Sequence, residues 1–192
     1  VSNTNTIEET FTSSGTTGTI TSKHLVTDAS IYEESYRKGF SQFYGNIENY
    51  VVLALLPSYL EREGSSLIYM VEDLIRLSNH SESGFYLHNH DELIKKLIEL
   101  DQAGQNVILI GVTYALLDLI EKQQFQLQNT IIMETGGMKG KRKEMIREEL
   151  HQQLCEGFGV SVIHSEYGMT ELLSQAYSLG EGVFECPSWI QI

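Results

Sequence analysis

The sequence predicts an α/β protein: a mostly parallel sheet with helices on both faces. Three observations predict it. Short, largely apolar runs recur at 51–56, 107–110, 130–133 and 160–163. Segments with helical apolar spacing lie between them. The runs are continuous rather than alternating, as expected of strands buried on both faces by crossover helices.

Each element has its own signal. From Asp28 to Tyr44 the apolar residues fall at 31, 32, 36, 40 and 43, a helical period opened by a capping Asp. Val51-Val-Leu-Ala-Leu-Leu56 reads as a buried strand closed by Pro57. Ser65 to Leu77 and Asp91 to Leu100 read as amphipathic helices. Val107–Ile110 predicts a second strand followed by a helix near 113–122. Thr130–Met133 predicts a third, with a helix from Lys141 to Cys155. Val160–Ile163 predicts a fourth, with a short helix from Thr170. Ligands of such sheets bind beyond the carboxyl ends of the strands, which selects the loops 111–113, 134–140 and 164–171.

A chain of 192 residues suits a single domain, large enough to need neither disulfides nor metal for its stability. Its 26 acidic and 13 basic side chains leave a net charge of −13, which argues against a general nucleic-acid binder. The charge is uneven: residues 139–147 hold five basic groups and one acid, or +4, leaving −17 for the rest. That stretch reads as either a small-anion site or a solvated helix start. Cys155 and Cys186 form no metal or disulfide pattern and read as small buried residues, so a reduced, cytoplasmic setting is the default. No run of apolar residues is long enough to predict a membrane span. His88-Asn-His90 has a spacing a metal would accept but lacks a third ligand nearby.

Two segments carry the chemical signal. In Thr12-Ser-Ser-Gly-Thr-Thr-Gly18, glycines allow a tight turn with convergent N–H groups and hydroxyls add donors. The segment reads as a phosphate cradle or, on composition alone, as a flexible Ser/Thr/Gly loop. It is not a Walker A loop, because Gly18 is followed five positions later by Lys23 instead of by Gly-Lys; Gly136 and Gly140 are spaced too closely for one. In His164-Ser-Glu-Tyr-Gly-Met-Thr-Glu171, Tyr167 offers a flat face to a purine and Gly168 lets a ring approach the backbone. Thr170 offers a hydroxyl to a phosphate, and Glu171 offers oxygens to Mg²⁺. A strand-to-helix turn with Thr170 as N-cap accounts for the same residues. His24, His164 and Tyr114 each divide between a site role and packing.

Together the two segments resemble the AMP-forming adenylating enzymes. Thr12–Gly18 resembles that superfamily's phosphate-loop signature, and Tyr167-Gly-Met-Thr-Glu171 its second signature, in the same order and about 150 residues apart. Ser14, the stretch Glu134-Thr-Gly-Gly-Met-Lys-Gly-Lys-Arg-Lys-Glu144 and Ser165–Glu171 resemble the acyl-protein synthetase (LuxE-type) branch. The resemblance covers about residues 11–189.

It implies ATP-dependent activation of a carboxylic acid, expected to be a fatty acid, to an acyl-adenylate. Transfer to coenzyme A or to the cysteine of an acyl-accepting protein would follow. By analogy Ser13, Ser14, Gly15, Thr16, Thr17 and Gly18 wrap the β- and γ-phosphates of ATP. Tyr167 and Gly168 flank the adenine, with Gly136 and Gly137 on its other side. Thr170 meets the α-phosphate region and Glu171 holds Mg²⁺, the two catalytic assignments. Lys23 sits two residues later than the lysine of many relatives, so its role stays open. Residues 1–192 are thus expected to be one nucleotide-binding domain, a fragment without the family's N-terminal segment and mobile C-terminal domain. The alternative is a non-catalytic nucleotide-binding or interaction module.

Overall fold

The computed structural model describes residues 6–13, 22–57, 63–87, 89–138 and 140–189. Its centre is a six-stranded sheet in the order β4-β3-β5-β6-β7-β8. The strands are β3 (Val51–Leu55), β4 (Gly84–Tyr86), β5 (Val107–Val112), β6 (Thr130–Thr135), β7 (His164–Gly168) and β8 (Gln175–Ser178). The first five are parallel, and β8 returns antiparallel along β7. A two-stranded antiparallel pair, β1 (Glu9–Thr12) and β2 (Lys23–Val26), precedes the sheet.

The predicted α/β class holds, and the physical reason is visible in β3 and β5, whose residues are all buried. Among the described residues the longer helices are α1 (Ala29–Tyr44), α2 (Ser66–Ser78), α3 (His90–Gln102), α4 (Thr113–Lys122) and α5 (Arg147–Phe158). Capping follows the sequence: Asp28 accepts from the Ser30 N–H ahead of α1, and Ser65 from the Ile68 N–H ahead of α2. α1 buries Tyr32, Tyr36, Phe40 and Tyr44 one turn apart, and its Tyr44 and Phe43 pack on Tyr177 of β8 at 5.4 and 5.3 Å. Arg37 donates to Asp73 through Nε (2.7 Å) and Nη2 (3.0 Å), tying α1 to α2. Asp101, at the end of α3, accepts from the N–H of Asn129 (2.8 Å) and the hydroxyl of Thr130 (2.9 Å), which orders the start of β6.

Four expectations need correction. The last parallel strand is His164–Gly168 rather than 160–163; Ile163 is buried but Val162 is partly exposed in the turn leading to it. No helix begins at Thr170. The chain turns there and enters β8, so Thr170 is not an N-cap. And α5 starts at Arg147, not Lys141. Before it, Gly140 adopts φ +69° and Arg142 is drawn onto Asp118 and Glu121 of α4, with 2.6 Å to Glu121 Oε1, which holds 140–146 off the helical path. Cys155 and Cys186 are only half-buried free thiols.

Candidate active site

The carboxyl ends of β6 and β7 and the hairpin β1–β2 enclose a cavity of about 400 Å³. From the hairpin come Thr12 and Ser13, and from the start of α2 come Ser65 and Ser66. β6 contributes Glu134, Thr135 and the following Gly136; β7 and its exit contribute Glu166, Tyr167, Gly168, Thr170 and Glu171. The beginning of the first predicted segment thus faces residues 166–171 of the second across one cavity.

The base of the hairpin is tied down on both strands. Thr12 donates its N–H to Gly64 O (2.7 Å) and its hydroxyl to Glu63 O (2.9 Å), docking β1 on the turn before α2. Ser13 and Ser22 close the loop base: Ser13 N–H donates to Ser22 O (2.9 Å), and Ser22 N–H to Ser13 Oγ (3.0 Å). Ser14, Gly15, Thr16, Thr17 and Gly18 lie outside the described residues. So do His88 and Lys139.

On the opposite wall, Tyr167 is half exposed and meets Phe184 edge-on at 6.0 Å. Gly168 leaves room for the polar groups beneath it: a Cβ would lie 2.9 Å from Glu166 Oε1 and 3.2 Å from Gln175 Nε2, so those side chains would have to give way. Gly136 lines the cavity with φ +70°, a conformation that favours glycine, whereas Gly137 is not among the lining residues. Glu171 is exposed and makes no ion pair among the described residues.

Beneath this rim lies a polar network that sequence reasoning missed. Thr135 Oγ1 donates to Glu166 Oε2 over 2.6 Å. Burial, opposed by that hydrogen bond and reinforced by the nearby Glu134 carboxylate, pushes the Glu166 pKa up to about 7. Gln175 Nε2 donates to Tyr32 OH (2.9 Å), which donates to Ser66 O (3.1 Å). Gln175 Oε1 is buried with no partner among the described residues. Arg147, the first residue of α5, donates from Nη1 to Glu134 Oε1 (2.9 Å) and to Ser165 Oγ (3.0 Å). The one available signal was its place in the basic stretch 139–147, where it looked like any other surface cation.

Other candidates lie elsewhere. His164 starts β7, at the end away from the cavity, and sits on Tyr44 OH at 3.2 Å, with burial lowering its pKa. His24 pairs with Phe11 in the hairpin. Tyr114 is buried, yet together with Pro57, Leu87 and Ala115 it borders a second cleft of about 480 Å³ past β3, β4 and β5. Among the described residues, no three His, Cys, Asp or Glu side chains cluster to hold a metal. None of the described helices is long and apolar enough to cross a membrane.

The donor set fits Mg²⁺ bound together with phosphate. That ion takes oxygen ligands, retains waters and commonly needs only one or two protein carboxylates, as Glu171 beside the Thr170 hydroxyl would provide.

No family model and no curated protein matches the chain. A solved structure shares its fold: O-succinylbenzoate coenzyme A synthetase (MenE) from Bacillus subtilis, in complex with ATP and magnesium ion. The match has a TM-score of 0.51 over 86% of this chain, at 18% identity. The chain spans 31% of that protein's length.

Proposed function

We propose that this chain is the nucleotide-binding part of an AMP-forming ligase that activates a carboxylic acid with ATP. The observation that carries the proposal is the shared cavity: Thr12 and Ser13 meet Tyr167, Gly168, Thr170 and Glu171 there, although about 150 residues separate them in sequence. The fold shared with a ligase solved with ATP and magnesium supports the same reading.

In this reading an oxygen of the acid's carboxylate forms a bond to the α-phosphorus of ATP. The bond from that phosphorus to the bridging oxygen breaks, and pyrophosphate leaves with the electron pair. Two anions must approach, so neutralisation of charge dominates the catalysis. The loop from Ser13 to Gly18 cradles the β- and γ-phosphates. Tyr167 and Gly168 flank the adenine on one side, Gly136 and Gly137 on the other. Thr170 donates near the α-phosphate. Mg²⁺, held by Glu171, would supply positive charge to the phosphate oxygens. A thiol, from coenzyme A or from a cysteine of an acyl-accepting protein, then takes the acyl group and releases AMP. The acid is proposed to be a fatty acid, and the sequence resemblance to the acyl-protein branch favours the protein thiol.

Hydroxylamine tests the first step, because it converts an acyl-adenylate to a hydroxamate. The protein with ATP, Mg²⁺ and acids from acetate to palmitate is expected to give hydroxamate with one chain-length class. A folded protein that binds ATP and yields none with any acid shifts the reading to a non-catalytic nucleotide-binding module.

A further inference from the structure

The cavity poses an electrostatic problem. Its described walls carry three carboxyl groups, Glu134, Glu166 and Glu171, and a single cation, Arg147. Whatever anion enters must be received by some donor other than these acids. Glu171 is met by Mg²⁺ in the reading above, and Glu166, with its pKa near 7, is partly neutral at physiological pH. Glu134 is met by Arg147 itself.

Arg147 is fixed in place with donors left over. Its guanidinium lies 5.0 Å over the Phe184 ring. Its stem runs against Gly182, where an added Cβ would come within 2.9 Å of Arg147 Cδ. One nitrogen, Nη1, serves both Glu134 and Ser165. A guanidinium has five N–H donors, so Nε and Nη2 retain three, and none of the described residues accepts from them. The side chain keeps 41% of its surface accessible, against 5% for Glu134. A planar fork whose orientation is set by a ring, a carboxylate and a hydroxyl, in a side chain that lines the cavity and keeps three donors unclaimed by the described residues, is suited to an oxyanion.

From this we infer that Arg147 is a substrate-binding residue of this cavity, gripping an anionic oxygen through Nε and Nη2 while Glu134 holds it in place. The inference rests on the adenylation reading, in which two oxyanions are available: a phosphate of ATP and the carboxylate of the acid. Both present the same chemistry to the guanidinium, and kinetics separates them. Glu134 then plays two parts, positioning the guanidinium and competing for its charge.

The experiment compares wild type with R147Q, R147K, E134Q and the double variant E134Q/R147Q, the last keeping a buried, unmatched carboxylate from confounding the fold. Acid-dependent pyrophosphate–ATP exchange gives the KM for ATP and for acid, and calorimetry gives the affinity for ATP with Mg²⁺. Loss of a charge-assisted contact is expected to weaken binding about 10- to 100-fold in R147Q and E134Q/R147Q. The weakening appears in the KM for ATP if the oxyanion is phosphate, and in the KM for acid if it is carboxylate. R147K, which keeps the charge but not the fork, is expected to fall between. E134Q keeps an amide oxygen to accept from Nη1, so the fork stays in place while the competing charge is gone, and it is expected to tighten the same constant. If exchange proceeds in wild type and in R147Q with all constants within about twofold, the inference is overturned while adenylation stands. If E134Q weakens binding as much as R147Q, the pair is purely structural and the inference is again overturned. If wild type exchanges with no acid, the adenylation reading fails; calorimetry then decides, equal ATP affinity in wild type and R147Q overturning the role of Arg147 and a tenfold loss upholding it.

Discussion

Thr135 and Glu166 are register partners in the parallel β6–β7 pair, and the threonine hydroxyl donates to the buried carboxyl over 2.6 Å. A titratable group therefore lies directly under Gly168 at the wall of the cavity, where its oxygen would have to move to admit a side chain at that position. The site is shaped from below by a buried acid as well as from above by its loops.

Glu166 should make stability depend on pH. Its folded pKa lies near 7 against an ordinary 4.5, so between those values the folded chain keeps a proton that the unfolded chain has lost. Stability from this group is full below the unfolded value, falls as pH rises, and levels off above the folded value, a total of about 3 kcal/mol. E166Q carries no such charge. Urea denaturation at about pH 5 and pH 8 should show E166Q gaining on wild type at the higher pH, and a difference equal at both pH values would contradict the assignment.

Gly168→Ala tests the close approach. The added methyl meets Glu166 Oε1 and the Gln175 amide, so those side chains, or the β7–β8 hairpin with them, must shift. Overpacking of this kind costs about 1 to 3 kcal/mol. Thermal unfolding should show the loss and calorimetry a weaker ATP complex, whereas unchanged values for both would mean that the hairpin yields freely.

Glu171→Gln separates function from fold. Glu171 is exposed, so a neutral amide there should change stability by no more than about 0.5 kcal/mol. Titration of Mg²⁺ in the exchange assay should show a raised requirement and a large fall in rate. An unaltered Mg²⁺ dependence would remove Glu171 from the metal site.

Asp101→Ala tests the sheet rather than the site. The carboxylate accepts from three groups at 128–130, and its loss leaves donors at the start of β6 unmatched. A cost of about 2 to 3 kcal/mol is expected by chemical denaturation, and a loss below about 0.5 kcal/mol would show that water replaces the carboxylate.

What was legible in the sequence follows from what each element is made of. β3 and β5 are apolar throughout because both faces are covered, and they were readable at once. β7, with the sequence His-Ser-Glu-Tyr-Gly, and β8, with Gln-Ala-Tyr-Ser, are polar because they carry the network and the cavity wall. Their polar residues thus masked the strand signal in the segment that walls the cavity, and the apolar Val160–Ile163 took its place in the reading. The helix α5 was placed six residues early because Lys141 to Ile146 has good helix formers, while the pull of Asp118 and Glu121 on Arg142 is a tertiary contact with no local trace. Thr12, Ser13, Gly136 and the Tyr167–Glu171 rim were legible as candidates, and the structure brings them together. Arg147 was not, because a cation in a charged run looks alike whether it faces water or a cavity.

The measurement that bears most directly on the central claim is pyrophosphate–ATP exchange on the protein that carries this chain, with Mg²⁺ and acids from acetate to palmitate. Exchange is expected to require an acid of one chain-length class and to collapse in Glu171→Gln. Exchange with none of the acids, from a folded protein that binds ATP, would contradict it.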